Sequence, residues 1–124
     1  MLGMERLRRR ADFVAVGRGQ RVVRQGFVIH GLLRRDGDTA GPPRFGFTVT
    51  KKIGNAVVRN RIRRRLRAAA TAAALHGKPG ADYVLIARAA ALTLPFDRLV
   101  TDLITGLAAL GAAVAATTGP RDGQ

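Results

Sequence analysis

Residues 51–67 read KKIGNAVVRNRIRRRLR, nearly half Lys and Arg and without an acid. Guanidinium forks bind phosphate oxygens in pairs, so the chemistry these residues are equipped for is the recognition of a polyanion. On a helical wheel, Val58, Ile62, Leu66, Ala69 and Ala73 form an apolar stripe. Arg61 and Arg65 flank one edge of that stripe and Arg59 lies near the other, while Asn60, Arg63, Arg64 and Arg67 cover the outer surface. Like charges four residues apart, such as Arg59–Arg63 and Arg61–Arg65, destabilise an isolated helix. A solvated face normally offsets this with Glu, and this one has none. Lys51 and Lys52 precede the helix N-terminus, where the macrodipole is already positive. Together with the unpaired N–H groups they make an anion site, and Asn60 can read a sugar or base edge.

Residues suited to bond-breaking are sparse by comparison. Protein nucleases converge carboxylates or histidines on metal ions. Here the histidines are His30 and His76, and Asp36 and Asp38 lie in a predicted turn. His76 reads as a helix-end residue and Asp12 as a helix-start residue. With no Cys in the chain, disulfides and thiolate metal sites are excluded. No catalytic or metal-binding residue is therefore assigned to the protein, and no cofactor is expected on it.

The elements that must position the basic run follow from periodicity. RLRRRADFVAVG predicts a short first helix ending near Gly17 and Gly19. RVVRQGFVIHGLLRR predicts one strand, with Phe27 and Ile29 on one face and Val28 and His30 on the other. RDGDTAGPP reads as a turn joining it, as a hairpin, to RFGFTVT. In that next strand Phe45, Phe47 and Val49 face a core, while Gly46, Thr48 and Thr50 make a small, polar opposite face. Gly54-Asn55 supplies a turn and an N-cap for the basic helix, and Gly77 a C-cap. ADYVLIAR is a strand apolar enough for the sheet interior. From Pro95 a last helix carries Leu99, Leu103, Leu107, Leu110 and Val114 on one side. The order helix, strands, helix, strand, helix predicts an α+β fold, a compact α/β sandwich with a small mixed sheet. Residues 1–116 are expected to form one domain and 117–124 a frayed tail.

Composition agrees. The 124 residues carry a formal net charge of +14, a pI of about 12.0 and 47% apolar residues. Such an excess favours nucleic acid as partner. GC-rich coding accounts for Arg over Lys, but not for the absence of acids between Asp38 and Asp82. The apolar run LAALGAAVAA is about half the ~20 residues of a membrane helix, and the N-terminus has no apolar signal core. A cytoplasmic protein with no membrane partner is expected.

RFGFTVTKKIGNAVVRNRIRRRLR resembles the signature of the bacterial ribonuclease P protein subunit, through the strand, the Lys-Lys-x-Gly-Asn-Ala-Val turn and the Arg-Asn-Arg core at 59–61. RLRRRADF, DYVLIAR and FDRLVTDL match in the same order, so the resemblance extends to about residue 110. It implies a small basic partner, expected at 1:1, of a catalytic RNA that removes the 5′ leader from precursor tRNA. The RNA, not the protein, holds the catalytic Mg2+. It also implies a left-handed β-α-β crossover, against the general preference. Contacts to the catalytic RNA would fall on Lys51, Lys52, Asn55, Arg59, Asn60, Arg61, Arg63, Arg64 and Arg67. The leader would lie in a cleft formed by Phe13, Val28 and His30 beside Gly46, Thr48 and Thr50. Two positions depart from the pattern: Gly17 stands where a second aromatic is common, and His30 where Tyr is frequent. His30 can still stack, and gains charge as pH falls.

Two other readings compete. A ribosomal-type RNA-binding protein of similar fold would share the basic helix without a leader cleft. A dimeric DNA-binding protein would need a zipper after its basic helix. Residues 68–76 read AAATAAALH, which provides none, so DNA is not expected as a partner.

Overall fold

Which face each element buries is decided by the alternation and stripes described above. The computed structural model describes residues 5–34 and 41–117, the side chains of 112–117 excepted. Its elements are β1 (Glu5–Arg6), α1 (Arg10–Gly17), β2 (Gln20–Val23), β3 (Phe27–Leu33), β4 (Arg44–Thr48), α2 (Ala56–Ala73), β5 (Ala81–Ala87) and α3 (Phe96–Thr117). Short 3-10 turns occupy Lys51–Ile53, Ala74–His76 and Ala89–Leu92. The strands form a mixed sheet in the order β1-β4-β5-β3-β2. β4 and β5 are parallel and joined through α2, whereas β3 is antiparallel to both β5 and β2. This is the α+β sandwich the sequence predicts.

The main core lies between the sheet and the pair α2 and α3. Phe27, Ile29, Phe45, Tyr83 and Leu85 meet Ile62 and Leu66 of α2 and Leu99, Leu103, Leu107 and Leu110 of α3, all essentially buried. Each such side chain contributes about 1.5–3 kcal/mol by leaving water. The rings of Phe45 and Tyr83 stack with centroids 5.2 Å apart. Burial pushes the Tyr83 phenol up, and its oxygen accepts a 2.9 Å hydrogen bond from the Lys78 N–H. Val114 lies outside the described side chains. A smaller cluster on the other sheet face sets Leu7 and Val16 against Val84, with Phe13, Leu32 and Ile86 around them. That second layer is where α1 packs.

Four local expectations are corrected. The predicted strand over 20–34 is a hairpin, β2 and β3, turning at Arg24–Gly26. The Arg24 N–H donates to the Phe27 carbonyl at 2.8 Å, and a Cβ on Gly26 would sit 2.9 Å from Leu99. β3 and β4 do not pair, because β5 lies between them. β5 is apolar on both faces and gains most from the central place. Residues 35–40 of their connection lie outside the described residues. The first helix begins only at Arg10, and Glu5–Arg6 pair in parallel with β4. Arginines at a helix N-terminus oppose its dipole, whereas Asp12 in the first turn suits it. Finally, Gly77 is extended rather than left-handed, and α2 ends through a 3-10 turn. Gly77 is small because a Cβ would lie 3.0 Å from Pro43.

Candidate nucleic-acid interface

The lead-in to α2 is built from short-range bonds. β4 ends at Thr48, and the Thr50 carbonyl accepts from the Ile53 N–H at 3.1 Å, closing the turn that leaves Lys51 and Lys52 exposed. Asn55 caps the helix as expected, its Oδ1 accepting from the Val58 N–H at 3.0 Å. The Arg59 Nε donates back to the Gly54 carbonyl at 3.1 Å, so this arginine braces the turn. Beyond it, Arg61 and Arg64 are exposed and Arg63 is half-buried, donating to the Asn60 Oδ1 at 3.1 Å. Arg65 does something else: its guanidinium turns inward and donates to the carbonyls of Ala91 (2.9 Å) and Leu94, holding the segment that precedes α3. The remaining cations form one outer face, which also contains Asn60 and Arg67.

The second predicted surface is the sheet face beneath α1. Residues opposite one another on paired strands share a face. Two rows result across β4, β5, β3 and β2: Thr48–Ile86–Val28–Val23 and Gly46–Val84–His30–Arg21. Phe13 lies over the second row, for a Cβ on Gly46 would come within 2.5 Å of its ring. Glycine at 46 is thus what allows α1 to bring this ring down onto the sheet. Phe13, Val28, His30, Gly46 and Thr48 are brought together as predicted, while exposed Thr50 continues their line into the lead-in turn of α2. Sequence reasoning missed Ile86, Val84, Val23 and Arg21. The alternation of β5 carried the signal for the first two. The β2 pair becomes visible only once the hairpin is known.

His30 is half-buried, and its environment holds its imidazole below the ordinary range. Burial is the first cause, the neighbouring Arg21 charge the second, and a backbone hydrogen bond at Gly17 opposes both. Its gain of charge is thereby postponed to lower pH. A Cβ on Gly17 would have nothing within 4 Å, so the place of the second aromatic is open space.

The acids serve the scaffold. Asp82, buried, accepts from Arg34 at 2.8 Å and from Arg44 at 2.7 Å, and Arg44 also lies 3.7 Å from Asp12 of α1. Exposed His76 stands at the end of α2. Among the described residues no three of His, Asp or Glu gather as metal ligands would, and no helix is long and apolar enough to cross a membrane.

The family model described as Ribonuclease P matches residues 1–111. The chain belongs to the ribonuclease P protein family. The ribonuclease P protein component of Gluconacetobacter diazotrophicus is 50% identical over 101 residues, which cover 79% of this chain and 84% of that one. That of Caulobacter vibrioides is 45% identical over 112 residues, covering 90% and 74%. Among solved structures, a Staphylococcus aureus RNase P protein, a mutant with defective mRNA degradation activity, superposes with a TM-score of 0.71 at 30% identity, covering 86% of this chain and 87% of the other. The RNase P protein of Thermotoga maritima gives 0.69 at 27% identity, covering 85% and 96%. A tRNA-processing, RNA-binding role follows from this membership.

Proposed function

We propose that the chain is the protein subunit of a ribonuclease P holoenzyme, bound 1:1 to a catalytic RNA in the cytoplasm. In this reading the outer face of α2, with Lys51, Lys52, Asn55, Arg59, Asn60, Arg61, Arg63, Arg64 and Arg67, neutralises phosphates of the catalytic RNA. The sheet face under Phe13 takes the unpaired 5′ leader of precursor tRNA, with Val28, His30, Gly46, Thr48 and Thr50 lining its path. The aromatic ring stacks on a leader base while the surrounding arginines hold the strand's charge. Binding the leader raises the affinity of the holoenzyme for precursor over mature tRNA and assists endonucleolytic removal of the leader. Hydrolysis belongs to the RNA and its Mg2+. The protein supplies position and positive charge.

The observation that carries this reading is electrostatic. The ion pairs of the described residues use Arg34, Arg44 and Arg98, and none draws on a cation of α2 or its lead-in turn. Those charges await an external anion. Adding the purified protein to its cognate catalytic RNA at low magnesium should restore cleavage of precursor tRNA. Binding without restored cleavage would instead favour a ribosomal-type RNA-binding role.

A further inference from the structure

The outer face of α2 holds more than point charges. Val57, Asn60, Arg63, Arg64 and Arg67 line a depression of about 470 Å3. Val57 is 69% exposed. A β-branched apolar side chain there adds nothing to phosphate binding and is no better a helix former than the residues it displaces. Asn60 gives its Oδ1 to Arg63, which leaves its amide N–H2 for another acceptor. The Nε–H of Arg67 is shut off from solvent and has no acceptor among the described residues. An apolar floor surrounded by donors that lack acceptors complements a flat ring with an acceptor-rich edge. A run of backbone phosphates supplies acceptors but nothing to cover the valine.

We propose that this depression seats one unpaired nucleotide of the catalytic RNA. Its base lies on Val57, and an edge of the kind guanine N7 and O6 present meets the Asn60 amide and the Arg67 guanidinium, which swings out to satisfy its Nε–H. Arg63 and Arg64 hold the phosphates on either side. A base inside a helix could not do this, since its faces are stacked, whereas a loop or bulge can offer one. The proposal rests on the RNA-binding reading above and adds to it. α2 then distinguishes a particular site on the RNA, where charge alone would bind any.

The test compares wild type, Val57→Ala and Val57→Lys on the cognate catalytic RNA across a range of salt, with nucleotide-resolution chemical probing of the RNA. Position 57 is exposed, so the melting temperature should be unchanged. Val57→Ala is expected to weaken binding about fivefold, near the low end of base-stacking effects, at an unaltered salt slope, and one nucleotide protected by wild type should become reactive. Val57→Lys should weaken binding as well, despite its added charge. Tighter binding by Val57→Lys with a steeper slope, or identical footprints for all three proteins, overturns the nucleotide seat and leaves a phosphate-only face. Failure of wild type to bind the RNA at all overturns the function reading itself, and the seat with it.

Discussion

The outer face of α2 and the sheet face under α1 are both exposed and both suited to RNA, yet they are built by opposite means. α2 gathers cations along one element, fixed by local bonds such as the Asn55 cap and the Arg59 brace. The sheet face assembles small, apolar and aromatic groups from five elements, and its geometry depends on the register of four strands. The first surface should respond to salt and tolerate small displacements. The second should respond to shape and tolerate salt.

Removing the ring of Phe13 should produce the largest effect. Phe13→Ala is expected to weaken precursor-tRNA binding by the assembled enzyme tenfold or more, from a stacking contribution of about 1–3 kcal/mol. Mature tRNA should bind nearly as before. Equal losses for the two, or a collapse of the melting temperature, would make Phe13 a core residue only. On the other surface, Arg61→Ala combined with Arg64→Ala should weaken binding to the catalytic RNA several-fold. It should lower the salt slope by roughly 0.7–0.9 for each phosphate left without its arginine. The ratio of precursor to mature affinity should not change. A double variant that alters this ratio would show that the two surfaces are not separate.

These surfaces were not equally legible in the sequence. The absence of acids around residues 51–67 is a local property, and the stripe Val58–Ile62–Leu66 orients the helix that carries them. The open face depends on packing between segments far apart in the chain. Gly26 breaks β2 from β3 because Leu99 of α3 leaves no room for a Cβ, and nothing near residue 26 announces this. β1 spans two charged residues and has no periodicity to detect. Arg65 belongs by type to the basic run, and only the carbonyls of Ala91 and Leu94 reveal that it serves the scaffold.

Smaller effects refine the contrast. Gly17 has no positive φ and open space where its side chain would be. Gly17→Phe should therefore enter without strain and raise precursor affinity about fivefold, the low end of the gain from one added stacked base. No gain would mean that the leader does not pass the end of α1. The smallest effect concerns His30. Its imidazole is lowered from 6.5 in the folded chain, so the unfolded chain binds more protons below that pH. Stability should then rise with pH up to about 6.5 and level off above it. His30→Gln should flatten this slope, as measured by thermal melts between pH 5 and 8. An unchanged profile would place the titration elsewhere.

Asp82 is the counterion of two guanidinium groups at once, and it is folded into the sheet beside them. The sheet carries its own neutralising charge, while α2 receives its share from another molecule. At the bench, the difference decides what travels with the protein. Purified at low ionic strength, it should retain cellular nucleic acid, and molar salt should strip that material without melting the sheet. With one Tyr and no Trp, the chain absorbs so weakly at 280 nm that even traces of bound RNA will dominate its ultraviolet spectrum. The absorbance ratio before and after a high-salt wash therefore reads directly how much of the positive charge was occupied in the cell extract.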